Sequence, residues 1–167
     1  MTIPADLFRD VFSRWPTGAG VLTARVDGQA HGMVVGSFCS LSADPPLAMV
    51  SLGRVTRMHD LLAAADRFAV SILGAEQRTL LERFAGLDRR FDADRFTGLT
   101  TIETPSGLPV FPGALAWAEC RLVAQHPGAN YTIFVGELVE AGLGDAAEAS
   151  PLLYFRRRVG SFAARDN

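Results

Sequence analysis

The segment GMVVGSFCSLSADPPLAMVSL, Gly32–Leu52, holds two apolar stretches with a small polar stretch between them. Its beginning has the β-branched composition of a buried strand, and Leu47–Leu52 predicts another strand. Pro45-Pro46 can sit only before this second strand or at a sheet edge, because proline cannot donate a hydrogen bond to a central ladder. The segment therefore predicts two strands joined by a turn that carries most of its polar side chains.

The polar side chains of this turn suit a binding surface. Serine and cysteine offer small hydroxyl and thiol groups, and Gly36 lets another group approach the backbone closely. Such a wall fits a planar heteroaromatic ligand held by several weak hydrogen bonds. The alternative is a strand end with turn-forming serines. The residues concerned are Ser37, Cys39 and Ser40.

Outward from this segment, toward the N-terminus, the pattern predicts a helix and a hairpin. Five apolar residues fall on one helical face, and Pro16 followed by Gly18 ends the helix. Asp27-Gly28 is a two-residue turn signal flanked by strand formers, so GVLTARVDGQAHGMVV is predicted to be a hairpin. The apolar positions of the helix are Leu7, Phe8, Val11, Phe12 and Trp15.

Toward the C-terminus, Thr56 is a candidate N-cap of a second helix, which is followed by the strand FAVSIL. The helix AEQRTLLERFAG ends at Gly86. The polar segment Leu87–Thr104 lacks periodicity and is predicted to lie at the surface. Two strands with a turn at Pro127-Gly128 follow, and PLLYFRRRVGSF is predicted to be a last strand.

These elements predict a mainly β protein with six or seven strands and three short helices. Hairpin connections favour an antiparallel barrel with helices packed outside, rather than a regular βαβ sheet. No GxGxxG follows a strand, which argues against a Rossmann dinucleotide site. Without an internal repeat or a long linker, residues 1–167 are predicted to form a single domain.

Composition and charge exclude several classes of protein. Apolar residues make up 49% of the chain, charged residues 20%, and the net charge is -2, so no global field attracts nucleic acid or an acidic membrane. Cys39 and Cys120 are expected to be reduced thiols, and the histidines lack metal-ligand spacing. The N-terminus does not resemble a signal peptide and no apolar run could span a bilayer, so a cytoplasmic location is expected.

The segment GRVTRMHD, Gly53–Asp60, is a second candidate site. A strand ends here and a helix begins, so free N–H groups and the positive end of the helix dipole lie beside Arg54, Thr56 and Arg57. Two guanidinium groups and a hydroxyl at such a place form a good phosphate site. A capped helix with surface arginines is an equally weighted alternative.

A third candidate is the turn in QHPGANYTIFVGE, where His126, Asn130 and Tyr131 cluster and could touch a ligand at a barrel mouth. A polar hairpin tip with one aromatic ring packed back is the alternative. In a last strand, Arg156 and Arg158 would point to one face, and solvated charge is their default interpretation.

The side chains supply no Ser-His-Asp order and no acid–base pair, so the sequence predicts no catalytic residue and points to chemistry carried by a bound cofactor. The order of motifs resembles the short-chain flavin reductase family, the reductase component of two-component flavin-dependent monooxygenases, which has the FMN-binding split-barrel fold. The matching pieces are FRDVFSRWPTGAGVLTA, HGMVVGSFCSLSADPPLAMVSL, GRVTRMHDLLAAADRFAVSIL, LLERFAG, GLPVFPGALAWAECRLV, HPGANYTIFVGELVEA and PLLYFRRRVG.

The resemblance implies an antiparallel split β-barrel with a few short peripheral α-helices, forming a homodimer with each flavin near the interface. It implies hydride transfer from NADH or NADPH to N5 of FMN or FAD, after which reduced flavin diffuses to a partner monooxygenase. It places Val35, Gly36, Ser37, Phe38, Cys39 and Ser40 around the flavin ring and ribityl chain; Arg54, Thr56 and Arg57 at the phosphate; Phe84, Ala85 and Gly86 near the flavin; Asn130 and Tyr131 near the nicotinamide; and Arg156 and Arg158 at the edge of the site.

The chain departs from the family pattern at three positions expected to touch ligand. Val34-Val35-Gly36 stands where the family commonly has Thr-Ala-Asn, Met58 where it has a hydroxyl, and Ala129-Asn130-Tyr131 where it has Gly-Asp-His. Losing buried polar partners weakens binding. An alternative function is therefore a barrel that has lost reductase activity and binds or transforms another flat ligand in a biosynthetic pathway.

Overall fold

A computed structural model describes residues 2–145 and 149–163 of the chain. Residue 1 and residues 146–148 and 164–167 of the predicted single domain lie outside the described residues. Among the described residues, no helix has the length and apolar character needed to cross a membrane. The helices are α1 (Ala5–Ser13), α2 (Arg57–Ala64) and α3 (Arg78–Phe84), and the strands are β1 (Thr17–Gly18), β2 (Gly20–Val26), β3 (Gln29–Val35), β4 (Cys39–Ala43), β5 (Pro46–Gly53), β6 (Arg67–Ile72), β7 (Ile102–Glu103), β8 (Pro109–Val110), β9 (Ala116–Gly128), β10 (Tyr131–Leu143), β11 (Leu152–Phe155) and β12 (Arg158–Ser161).

The main sheet is antiparallel and has seven strands in the order β3-β2-β6-β9-β10-β5-β4. Its two edge strands, β3 and β4, are consecutive in the chain and are joined by only three residues. Four Cα–Cα steps from Val35 to Cys39 reach at most about 14 Å, whereas the edges of a flat seven-stranded sheet lie about 29 Å apart. The sheet must therefore curl until its edges meet. Because β3 and β4 do not pair, the resulting barrel is split, as predicted.

The barrel interior is a continuous apolar cluster closed by α2. Leu22 on β2 and Phe134 on β10 are wholly buried there, as are Met58 and Leu62 of α2, at most 4% exposed. Thr56 caps α2 as predicted, since its Oγ1 accepts a hydrogen bond from the His59 N–H at 3.3 Å. Helix α2 is thus fixed over one region of the barrel by both its cap and its buried face.

A second apolar cluster covers the outer face of β2. Phe84 of α3 is wholly buried in it, and its ring contacts Phe96 and Phe111 with centroids 5.1 and 5.2 Å away. A Cβ placed on Gly32 of β3 would lie 2.4 Å from the Phe84 ring, so only glycine allows this close packing. Phe96 belongs to the polar segment Leu87–Thr104, which is anchored to this cluster by Phe96 and Leu99.

The prediction of a turn through the serine-rich stretch was wrong, because β4 occupies most of it. Cys39–Ala43 pairs with β5, with a bulge between Ser40 and Ser42. An edge strand has one unpaired side facing outward, so it tolerates small polar residues that a central strand would not. The turn is confined to Asp44-Pro45, where Ser42 Oγ accepts a hydrogen bond from the Asp44 N–H at 3.2 Å.

The turn predicted at Pro127-Gly128 lies two residues further on. Gly128 pairs with Tyr131, so the turn is Ala129-Asn130, and Pro127 belongs to β9. Proline is tolerated there because β6 pairs with β9 only as far as Arg121, which leaves the end of β9 with a free side.

The segment predicted as a last strand is a hairpin, β11–β12, that turns at Arg156-Arg157. Both turn residues have positive φ, 49° and 61°, which defines a left-handed two-residue turn. Glycine and asparagine are the usual signals for such turns, so two arginines gave no indication of it. The prediction that Arg156 and Arg158 share one strand face was consequently wrong.

Candidate functional site

Ser37, in the link between β3 and β4, holds the start of β4 against β5. Its Oγ donates to the Ser51 carbonyl at 2.9 Å and accepts from the Ser51 N–H at 3.1 Å. The hydroxyl thus takes the place of the next residue in the β4–β5 ladder, whose regular pairing begins at Cys39 and Met49. The predicted wall residue Ser37 therefore has a structural role that the sequence did not indicate.

Gly36 lies against β1. A Cβ placed on it would lie 3.0 Å from Thr17 Oγ1, so a larger side chain would require Thr17 to move. The departure from the family's asparagine at this position matches the close approach of Thr17, a contact that sequence reasoning missed. Val35, 4% exposed, fills the barrel interior, and Val34 packs against the second apolar cluster.

The remaining residues of the predicted wall are Phe38, in the β3–β4 link, and Cys39 and Ser40, which begin β4 and are both exposed. Phe38 and Ser40 line an apolar cavity of about 430 Å³, whereas Cys39 lies outside it. The cavity runs between β4, β5, β9 and β10, where Trp117 and Leu143 form part of its lining. The structure thus divides the six predicted wall residues between the barrel core, an apolar cavity and an outer surface.

The loop Gly53–Arg57 carries the positive charge that the sequence predicted. Arg54 and Arg57 are exposed at the start of α2, beside its unpaired N–H groups. The Thr56 hydroxyl is already engaged, because it donates to the Gly53 carbonyl at 2.8 Å as well as capping α2. Arg57 also lies near β3: burial and then the Arg57 charge lower the pKa of His31.

The β9–β10 turn lies directly against this loop. The Arg54 N–H donates to the Asn130 carbonyl at 3.0 Å. The ring of Tyr131 lies 3.6 Å from a Cβ placed on Gly53, its partner across the β5–β10 ladder. The structure therefore brings the predicted residues Asn130 and Tyr131 together with Arg54 in one surface.

His59 and Thr132 support this surface and were not predicted as site residues. His59 Nε2 lies 2.9 Å from Thr132 Oγ1, and the Arg54 guanidinium lies 3.5 Å from the same hydroxyl. His59 Nδ1 lies 3.0 Å from the Asp60 carboxylate. In the sequence, His59 is only a helix residue three positions after the Thr56 cap. Its contact with Thr132 depends on the strands of the barrel coming together, so no local sequence signal identifies it.

The Arg54 loop and Ser37 are both attached to β5. Ser51, which binds Ser37, and Gly53, which begins the loop, are two residues apart on β5, or about 7 Å. One elongated ligand can therefore reach from the β3–β4 link to the arginines. Within the described residues, no group of His, Cys, Asp and Glu could hold a metal ion.

Other predicted residues lie apart from this surface. Phe84 is wholly buried and its ring has no exposed face, while Gly86 ends α3 with φ 74°. The side chain of Met58 is buried in the barrel interior, so this departure changes the packing of the core rather than the exposed side chains of the loop. Arg156 lies in the β11–β12 turn beside α1, where its N–H donates to the Ser13 carbonyl at 2.6 Å, and Arg158 begins β12.

Comparison with known proteins identifies the family. Residues 12–163 match the flavin reductase like domain, and the chain belongs to this family. It is 37% identical over 157 residues to the NADH-dependent flavin reductase StyB of Pseudomonas fluorescens, covering 93% of this chain and 89% of StyB. It is 32% identical over 165 residues to the actinorhodin polyketide dimerase of Streptomyces coelicolor, and the match covers 98% of this chain and 90% of the dimerase.

The fold comparison agrees. The NADH:FAD oxidoreductase SgcE6 of Streptomyces globisporus, in complex with NAD and FAD fragments, superimposes with a TM-score of 0.88 at 32% identity. The match covers 100% of this chain and 99% of SgcE6. The resemblance seen in the sequence motifs and the split barrel is confirmed.

Proposed function

We propose that this chain is an NADH-dependent flavin reductase. The observation that carries the proposal is the Arg54–Arg57 loop, a cationic helix start about 7 Å from the Ser37 link along one strand. A flavin mononucleotide unit has this form: a flat ring system at one end and a phosphate at the other. The named activity of relatives such as StyB supports the assignment and favours NADH as the hydride donor.

The residues act by binding and orientation. When bound, the flavin supplies the ring that accepts a hydride from the nicotinamide. Arg54, Arg57 and the free N–H groups of α2 neutralise and hold the flavin phosphate. Gly36 and Cys39 are exposed and would leave room for the ring beside the β3–β4 link, and Tyr131 lies against Gly53, where the arginine loop begins. The chain contributes proximity rather than a general acid or base.

The alternative, a barrel that acts on another flat ligand, draws on the three sequence departures and on the name of the polyketide dimerase. The packing weakens the argument from the sequence departures. Val35 and Met58 are buried in the core, and Gly36 fits closely against Thr17. Packing thus accounts for Val35 and Met58, whereas the departures at Gly36 and at Ala129-Asn130-Tyr131 are exposed.

The test is a steady-state assay with purified protein, NADH or NADPH, and FMN or FAD, following NADH absorbance. The proposal predicts turnover with NADH and with at least one flavin, and loss of turnover in an Arg54→Gln, Arg57→Gln double variant. Rates equal to buffer for every pair of substrates would favour the alternative.

We also propose that the protein works as a homodimer and passes reduced flavin to a monooxygenase. Reductase components of monooxygenases among its relatives support the second part. The first is supported by an apolar surface on α1 and just after it, where the four α1 side chains Leu7, Phe8, Val11 and Phe12, together with Trp15, are 50–71% exposed. Contiguous exposed apolar surface of this kind marks an interface. Light scattering after size exclusion should give twice the chain mass, and a monomer would refute this part.

A further inference from the structure

A row of four polar side chains leads from the exposed Asp60 carboxylate to the Arg54 guanidinium. The His59 ring lies between two partners: its Nδ1 is 3.0 Å from the Asp60 carboxylate, and its Nε2 is 2.9 Å from Thr132 Oγ1. The Arg54 Nε lies 3.5 Å from the same Thr132 hydroxyl. We call this row the Arg54 support; its residues are Asp60, His59, Thr132 and Arg54.

The hydrogen bonds of the Arg54 support all run in one direction. A carboxylate can only accept, so in the neutral imidazole of His59 the proton is on Nδ1, which donates to Asp60. Nε2 then accepts from the Thr132 O–H, and the lone pairs of Thr132 Oγ1 are left to accept from the Arg54 Nε–H. Hydrogen bonds linked in this way polarise and strengthen one another. The Thr132 hydroxyl is therefore an oriented acceptor for Arg54.

The middle of the Arg54 support is fixed by the barrel core. The His59 side chain is only 15% exposed, and its ring meets the wholly buried Phe134 ring edge-on, with centroids 5.5 Å apart. Thr132 is also buried and lies on β10 opposite Leu52 of β5. Because neither side chain can move without repacking the core, Thr132 Oγ1 is a rigid point beside the Arg54 loop.

Arg54 is held at its backbone and at Nε. Its backbone N–H donates to the Asn130 carbonyl at 3.0 Å, and within residues 2–145 and 149–163 its side chain makes no hydrogen bond other than that with Thr132. With Nε engaged, the two terminal NH2 groups keep their donors for an anion. The 3.5 Å contact is long, and contacts of this kind tighten when a ligand draws the side chain into place.

From these observations, and resting on the proposed function, we infer that His59 and Thr132 are positioning residues that set the preference of the site for a phosphorylated flavin. They orient the Arg54 guanidinium so that its terminal NH2 groups meet two oxygens of the phosphate. An unsupported surface arginine loses side-chain entropy when it binds, and the Arg54 support removes part of this loss in advance. The two residues thus act through Arg54 and need not touch the flavin.

The test measures the affinities of FMN and of riboflavin, which lacks the phosphate, by fluorescence titration. Thr132→Val keeps the β-branched shape and removes the hydroxyl, so the affinity for FMN should fall by about threefold to tenfold while that for riboflavin stays the same. Thr132→Ser keeps a hydroxyl and should keep the preference for FMN. Thr23→Val is the matched control, because it removes another buried hydroxyl, which donates to the Pro109 carbonyl at 2.8 Å; both affinities should stay unchanged.

A double-mutant cycle separates positioning from a general effect on the fold. In an Arg54→Gln background, Thr132→Val should cause no further loss of FMN affinity, because Thr132 acts through Arg54. His59→Gln keeps an acceptor for the Thr132 hydroxyl and should keep the preference for FMN, whereas His59→Phe keeps a ring against Phe134 and should reduce it. The two Thr132 variants decide the question if His59→Phe does not fold.

A preference for FMN that Thr132→Val leaves unchanged, or that it reduces equally with and without Arg54, would overturn the inference. Steady-state kinetics test the proposed function separately: Thr132→Val should raise the KM for FMN and leave kcat nearly unchanged. NADH oxidation combined with a preference for FMN that does not depend on Thr132 would remove the inference alone. A preference that depends on Thr132, without any NADH oxidation, would remove the reductase function alone.

Discussion

Replacing Ser37 by alanine should loosen the start of β4. The Ser37 hydroxyl makes two hydrogen bonds to one residue, donating to the Ser51 carbonyl at 2.9 Å and accepting from its N–H at 3.1 Å. Alanine removes both and leaves two partly buried backbone groups of Ser51 without their partner. No other residue of the β3–β4 link holds β4 to β5 before the regular pairing begins at Cys39.

The size of the effect follows from the number of bonds and from their partial burial. Each net hydrogen bond contributes about 0.5–1.5 kcal/mol, and water can replace part of the loss at this half-exposed position. We therefore expect the free energy of unfolding to fall by about 1.5 kcal/mol, which corresponds to a decrease of roughly 3–6 °C in Tm for a chain of this size.

Urea denaturation followed by circular dichroism measures the change, and hydrogen exchange locates it. The Ser51 amide should exchange faster in Ser37→Ala than in the parent. Core amides, which exchange slowly in both proteins, should change in rate only as much as the difference in the free energy of global unfolding requires. Ser40→Ala, at an exposed position of β4, is the matched control and should stay within about 0.5 kcal/mol of the parent. A Ser37→Ala loss no larger than that of the control would refute the proposed role of the hydroxyl.

Three further predictions concern the barrel core and its titrating groups. Gly136→Ala would place a Cβ 2.6 Å from the Cys120 Cβ, so unfolding free energy should fall by about 1–3 kcal/mol in urea titrations, while Gly160→Ala, with open space around it, should be nearly neutral. Burial, and secondarily the Glu119 charge, raises the pKa of the Cys120 thiol to about 12, so a thiol reagent should modify Cys39 in the native protein and Cys120 only after denaturation. Burial alone would raise the pKa of Glu119, but hydrogen bonds from neighbouring hydroxyls and a guanidinium lower it below its unfolded value. The Glu119 carboxylate therefore stabilises the fold above about pH 4.3, and this stabilisation is lost as the pH falls through the folded pKa. Glu119→Gln should therefore be less stable than the parent at neutral pH, with a difference that shrinks in acid when urea midpoints are compared.

The sequence predicted the barrel because local and global signals agree there. Asp27-Gly28 produced the β2–β3 hairpin, and the Thr56 cap produced α2, each from a few adjacent residues. The three-residue link from Val35 to Cys39 is also visible in the sequence, but its consequence depends on knowing that β3 and β4 are the two edges of one sheet. Strand order is a tertiary property, so the hairpin connections indicated an antiparallel barrel, while the split closure was inferred from the family resemblance.

The predicted strands and turns were wrong where the structure of a residue depends on neighbours that are distant in the sequence. Pro127 fits inside β9 because its neighbour β6 has already ended, and Arg156-Arg157 forms a left-handed turn that neither residue favours. The Ser40 region forms an edge strand for a similar reason. In each case the local conformational preference of the residues favours another structure, and tertiary strand pairing overrides it.

The sequence indicated the local position of the two arginines, but not the contacts between distant residues of the candidate site. Arg54 and Arg57 lie at a helix start as the sequence indicated, since this depends on local cap geometry. That Asn130 lies against Arg54, and that His59 supports Thr132, depends on β5 and β10 being neighbours. Met58 was expected at a ligand and is buried, because its position on α2 turns it toward the barrel interior.

The most direct test of the central claim compares FMN with riboflavin, which lacks the phosphate. Fluorescence titration should show that the parent binds FMN more tightly than riboflavin. In the Arg54→Gln, Arg57→Gln double variant, the affinity for FMN should fall by about tenfold or more while that for riboflavin stays the same, because only FMN has a phosphate for these arginines to hold. Equal affinities of the parent for both flavins, or an equal loss for both in the variant, would contradict the assignment of this loop to the flavin phosphate.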